Sequence, residues 1–114
     1  MHEMGLARGI LRESLRRGQE KGARRITAVD VEVSPLAVVD VEDLALCFAD
    51  AAKGTGAEDA ELRIVRLPLV AECSECGESV HVQSAADTCP SCGSRSLEVK
   101  PMPDWQVTAV ETVP

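Results

Sequence analysis

Residues 26–34, ITAVDVEVS, decide the fold, because apolar and polar side chains alternate there with a period of two. Val29, Val31 and Val33 fall on one face and Asp30, Glu32 and Ser34 on the other, which predicts a strand with one wet face. Upstream, between Met4 and Lys21, the period changes. Ala7, Ile10, Leu11, Ser14, Leu15 and Gly18 recur at steps of three and four, with Arg8, Arg12, Glu13, Arg16 and Glu20 on the other side. That pattern predicts an amphipathic helix ending near Gly22. Downstream, Ser34-Pro35 breaks the strand, and Asp40 is a candidate N-cap followed by the first-turn acids Glu42 and Asp43. A second helix is expected from Val41 to Lys53, stopped by Gly54 and Gly56. Residues 61–70, ELRIVRLPLV, then read as a second strand with Leu62 and Ile64 pointing inward and Pro68 near its end. Strand, helix and strand make a βαβ unit, whose strands run parallel when they are neighbours.

Residues 71–100 change character, being polar and rich in Cys, Ser and Gly with no helical period. After the breaker Pro101-Met102-Pro103, WQVTAV predicts a last short strand that returns to the first sheet. The expected fold class is therefore α+β: a small mixed sheet of three strands with two helices, plus an inserted zinc-ribbon-like module. Residues 1–70 and 101–114 would form one discontinuous domain and residues 71–100 the inserted module.

The chain has 114 residues, which allows one real core and a satellite, with little room for an enzyme cleft. With one Trp, one Phe and no Tyr, the core must be built from Val, Leu, Ile and Ala. A core that small and light is marginal by area alone, and a bound metal is a usual remedy. The N-terminus carries no signal-peptide pattern and no segment is apolar enough to span a bilayer, so a cytoplasmic protein without a membrane role is expected.

The formal net charge of -7 is uneven: residues 1–25 carry seven Lys/Arg against three Asp/Glu, leaving five against sixteen for the rest. Arg8, Arg12, Arg16, Arg17, Lys21, Arg24 and Arg25 are a solvated helix face and exit loop, or a docking surface for an acidic partner. A nucleic-acid partner is disfavoured, because the acidic remainder repels phosphates and aromatic side chains to stack bases are lacking.

Cys73-x2-Cys76 and Cys89-x2-Cys92 are separated by twelve residues, a spacing that folds two knuckles over one tetrahedral ion. Gly77 and Gly93 follow the two pairs and can take the positive φ that turns backbone N–H groups toward the sulfurs. Residues 80–83 and 96–99 would supply short strands. Four sulfurs without an oxygen or an open position describe a closed structural zinc site rather than a catalytic one. A rubredoxin-like iron site and a disulfide switch use the same residues. His81 lies inside the module but outside the ligand pattern, as a surface strand residue or a group sensitive to pH or metal. Cys47, beside Phe48 on the apolar side of the second helix, reads as a small buried residue.

With Met1 retained before the bulky His2, the free α-amine, the His2 backbone nitrogen and the imidazole form consecutive chelate rings. Three nitrogens at one chain end suit nickel or copper. Glu3 adds a carboxylate, and the helix beginning at Met4 would hold the tripeptide against the domain.

Met1-His2-Glu3, an amphipathic helix, a βαβ unit and an inserted CxxC…CxxC module together resemble the HypA/HybF family of hydrogenase maturation nickel chaperones over essentially the whole chain. The resemblance implies a metallochaperone rather than an enzyme, with Ni(II) as transient cargo and structural Zn(II). It makes His2 the nickel residue with Met1 and Glu3 in support, Asp40 a weaker candidate, and Cys73, Cys76, Cys89 and Cys92 the zinc ligands. It implies a HypB-type GTPase and the [NiFe]-hydrogenase large subunit as partners, with urease maturation proteins as a further client route, and a monomer or weak dimer. The chain departs from the family at Val33-Ser34-Pro35, where a glycine-containing turn is usual. The competing reading is a zinc-ribbon interaction or regulatory module without a nickel role, which accounts for the cysteines alone.

Overall fold

A computed structural model describes residues 3–84 and 87–114. The first helix, α1 (Glu3–Glu20), buries Leu6, Ala7, Ile10, Leu11, Ser14 and Gly18, the stripe expected from the three-four spacing. Buried Ser14 satisfies its hydroxyl by donating to the carbonyl of Ile10 at 2.7 Å. The glycines of this helix permit close packing. A Cβ on Gly18 would sit 3.0 Å from Ile26 Cδ1, and one on Gly9 would sit 3.0 Å from the ring of Trp105.

Strand β1 (Arg25–Val33) is central in a sheet of order β2-β1-β6. It runs parallel to β2 (Glu61–Arg66), with Val31 opposite Ile64, and antiparallel to β6 (Trp105–Val113), with Val33 opposite Trp105. The mixed three-stranded sheet is thus the one expected. Its inner face joins the helices in one core that includes Ile10, Val29, Val31, Val33, Leu44, Phe48 and Val107. On the wet face Arg63 reaches across all three strands. Its guanidinium grips Asp30 at 2.7 and 3.1 Å and Glu111 at 2.8 Å. These groups are partly solvated, so the network fixes strand register more than it adds stability.

The second helix, α2 (Val41–Ala51), ends two residues earlier than the periodicity implied, at a cap on Ala52. Cys47 is half-buried against the core rather than fully enclosed. Between β1 and α2, Ser34 organises the turn: its amide donates to the Asp104 carbonyl at 2.9 Å and its hydroxyl accepts from Leu36 N at 3.1 Å. Arg66 then secures the following segment through the carbonyls of Ala37 and Val39 at 3.1 and 2.7 Å.

The run ELRIVRLPLV is two strands, not one. It breaks at Leu67-Pro68, and β3 (Leu69–Cys73) becomes the middle of a second sheet, between β4 (Ser79–Val82) and β5 (Leu97–Val99). Pro68 has no amide hydrogen to continue the first ladder, and the chain changes partners there.

Candidate metal centres

The second sheet exists to present two knuckles. The turn after β3 carries Cys73 and Cys76, and a matching turn before β5 carries Cys89 and Cys92. In each, the glycine after the pair takes a left-handed φ, 76° at Gly77 and 78° at Gly93. The two amides close equivalent loops, Gly77 N donating to Cys73 O at 2.8 Å and Gly93 N to Cys89 O at 2.7 Å. The first cysteine of each pair is buried and the second exposed.

The four Sγ atoms all lie within 4.8 Å of one another, with Cys73 to Cys92 at 3.6 Å and Cys76 to Cys89 at 3.8 Å. Zinc–sulfur bonds of about 2.3 Å in a tetrahedron put the sulfurs roughly 3.8 Å apart, so the cluster has the size of one zinc ion. The electrostatics of the bare cluster agree. The Cys73 thiol is pulled down to about 7, chiefly by the backbone amide of Cys76 and in part by that of Glu75. At Cys92 the Ser94 amide favours the thiolate, yet the Cys73 sulfur, burial and the other sulfurs outweigh it and push the thiol up to about 12. Cys76 is raised as well: the Glu78 amide opposes the rise, and burial with the Cys73 and Cys89 sulfurs overrides it. Backbone amides thus favour the thiolate at Cys73, Cys76 and Cys92, while burial and the neighbouring sulfurs oppose it at Cys76 and Cys92, a conflict that a bound divalent cation would relieve.

Spacing gave no hint of the contacts that lock the knuckles together. The Ser91 hydroxyl donates to Glu78 at 2.7 Å, joining one knuckle to the other. The Ser96 carbonyl accepts both the amide and the hydroxyl of Ser74, at 3.0 and 3.1 Å. His81 sits on β4 opposite Val70, exposed and outside the cluster.

Of the proposed nickel residues, Met1 and His2 lie outside the described residues. Glu3 opens α1, and its carboxylate accepts from the backbone N of Asp40 at 3.3 Å. The starts of both helices therefore meet. Asp40 is the N-cap of α2, its Oδ1 accepting from Glu42 N at 3.0 Å and Asp43 N at 3.1 Å. Asp40→Ala is expected to cost about 1 kcal/mol in a denaturant melt, while Asp40→Asn, which keeps the accepting oxygen, should cost much less.

A closed four-sulfur cluster on a second sheet, lying in sequence between the strands of a two-helix α+β sheet, defines a metal-binding protein. The family described as hydrogenase/urease nickel incorporation, metallochaperone, hypA matches residues 1–112. Hydrogenase maturation factor HypA of Azotobacter chroococcum is 40% identical over 97% of this chain and 98% of its own length. Its counterpart in Azotobacter vinelandii is 38% identical over the same shares. The solution structure of the Ni metallochaperone HypA from Helicobacter pylori has the same fold, with a TM-score of 0.70 at 18% identity, covering 99% of this chain and 98% of that one. The chain belongs to the HypA family of nickel metallochaperones for hydrogenase maturation. Among the described residues no helix is long and apolar enough to cross a membrane.

Proposed function

We propose that this protein binds Ni(II) at its amino terminus and delivers it for [NiFe]-hydrogenase maturation, while Cys73, Cys76, Cys89 and Cys92 hold a structural zinc. The observation that carries the nickel reading is the match of residues 1–112 to the hydrogenase/urease nickel-incorporation family, and the hydrogen bond from Asp40 N to Glu3 sets the backbone of Asp40 beside the start of α1. The Met1 amine, the His2 backbone nitrogen and the His2 imidazole would form the chelate, with Glu3 in support and Asp40 beside it. Nitrogen and carboxylate donors suit nickel, and a site at a chain terminus can be dismantled without unfolding the domain.

The protein is a cytoplasmic carrier, not an enzyme. It hands nickel on with a HypB-type GTPase toward the hydrogenase large subunit, and urease maturation is the second client route. Residues 1–70 with 101–114 make the nickel-binding unit and residues 71–100 the zinc-binding unit.

Calorimetry with nickel tests this on four proteins: untagged chain, chain extended before Met1, His2→Ala and Asp40→Asn. The extension is expected to weaken binding, His2→Ala to abolish it, and both to leave zinc content unchanged. Affinity should fall as pH drops through about 6.5, because protons compete for the imidazole and amine. Equal affinity in the untagged, extended and His2→Ala proteins would move the site elsewhere. A loss in Asp40→Asn, whose cap is intact, would assign Asp40 to the metal.

A further inference from the structure

Between the end of β1 and the start of α2 the chain has little packing of its own. Leu36 is 59% exposed and Val38 82% exposed, and only Ala37 and Val39 turn into the core. Ser34 ties the first half of this segment, its carbonyl accepting from Ala37 N at 3.2 Å. In the second half no backbone amide among the described residues donates to the carbonyl of Ala37 or of Val39. Both are taken instead by the guanidinium of Arg66, Nη1 donating to Ala37 O at 3.1 Å and Nη2 to Val39 O at 2.7 Å. Arg66 is the last residue of β2, opposite Val33, and it forms no ion pair among the described residues. No carboxylate competes for its charge, and its planar fork spans two carbonyls that a point charge would not bridge.

The carbonyl of Val39 belongs to the same peptide group as the amide of Asp40, and that amide donates to the Glu3 carboxylate at 3.3 Å. A trans peptide is planar, so its C=O and N–H point in opposite directions and turn as one unit. A cation grips one side of this plane and a carboxylate rests on the other. Arg66 therefore fixes the direction of the Asp40 N–H, and the positive charge on the carbonyl makes that N–H a stronger donor. The Asp40 side chain caps α2 through Glu42 N and Asp43 N, which does not by itself fix a plane that turns about ψ of Val39 and φ of Asp40. We propose that Arg66 is a positioning residue of the nickel terminus, orienting the 39–40 peptide so that the Glu3 carboxylate is held ready for the ion, without touching the ion itself. This role rests on the terminal nickel site proposed above. A carboxylate ordered before binding lowers the ordering cost of chelation, so the benefit is read in affinity.

The test is calorimetric nickel titration of the untagged, zinc-loaded chain. Arg66→Met keeps the apolar stem and removes the donors, and it is expected to weaken nickel binding about tenfold. Arg66→Lys, whose ammonium cannot take both carbonyls, should fall with Arg66→Met rather than with the wild type. In a Glu3→Ala background the same Arg66→Met change should cost less than about twofold, because the carboxylate it positions is gone. Amide exchange adds a readout that needs no nickel: the Asp40 amide should exchange faster in Arg66→Met, while the amides within β1 and α2 keep their protection. Zinc content and Trp105 fluorescence check folding in every case. Wild-type affinity in Arg66→Met overturns the proposal, and so does an equal loss with and without Glu3, which would make Arg66 a staple of the loop alone. If His2→Ala binds nickel as the wild type does, the terminal site itself falls and the role of Arg66 falls with it. A loss in His2→Ala beside wild-type affinity in Arg66→Met overturns the role of Arg66 and leaves the terminal site standing.

Discussion

Replacing Cys73 by alanine is expected to unfold the inserted module while leaving the helix-covered sheet intact. The module has little else to hold it: its buried apolar cluster is Cys73, Val80 and Cys89, with Val82 and Leu97 at the margin. Apparent binding energies of about 10–16 kcal/mol for structural zinc far exceed what that cluster can supply, so zinc binding is the folding energy of this segment. Three remaining thiolates cannot close the tetrahedron. The first domain survives because melting the module only lengthens the loop between β2 and β6, and loop entropy grows by about 0.6 kcal/mol per doubling of length. The single tryptophan lies in the first domain, against Gly9, and reports on that domain alone. The expected result is loss of bound zinc and protease cleavage within residues 71–100, with Trp105 fluorescence unchanged. Acidification should act in the same direction, since protons displace zinc from thiolates as pH falls. An intact, protease-resistant module in zinc-free protein would refute this account.

Phe48→Ala carries the second large effect, and it falls on the other domain. Phe48 is the largest side chain enclosed in the core, 1% exposed, and it packs from α2 among Val, Leu and Ile that cannot close around the missing ring. Truncations of this kind cost about 3–5 kcal/mol. Against a total stability of about 5–15 kcal/mol, that loss is a substantial share. A denaturant melt followed by Trp105 fluorescence should show the midpoint falling sharply at unchanged slope. Zinc content measured in the folded baseline should not change, because none of the four sulfurs touches this core. A shift within about 0.5 kcal/mol would mean that the ring is not a keystone of the sheet–helix packing.

The fold was legible wherever one residue type has one physical use. Alternation in ITAVDVEVS fixed β1 and its buried face, Asp40 before two acids marked the start of α2, and CxxC pairs followed by glycine gave the knuckles. The break inside ELRIVRLPLV was not legible, because residues on both sides of Pro68 have the same strand propensity, and only the identity of their partners changes. Partner choice is not a local property: β2 pairs with β1, 33 residues back, while β3 pairs with β4, 7 to 13 residues on, and with β5, 24 to 28 residues on. The same limit hid the bridge from Ser91 to Glu78, whereas the pairing of Glu13 with Arg16 and Arg17 is a local i,i+3 and i,i+4 contact that helical spacing allows. The proximity of Glu3 to Asp40 likewise joins residues 37 positions apart, and no local pattern announces it.

The central place of β1 has a temporal consequence during synthesis. Its parallel neighbour is made soon after it, but its antiparallel neighbour pairs Arg25 with Val113, across nearly the whole chain. Until residue 113 has left the ribosome, one flank of β1 is an open hydrogen-bonding edge, the kind of surface that nascent chains must shield. The zinc module, made in the interval, can fold around its ion while the sheet is still waiting. Completion of the helix-covered domain therefore waits for β6, and the start of α1, which precedes it in the chain, gains its finished platform only after residues 105–113 have emerged.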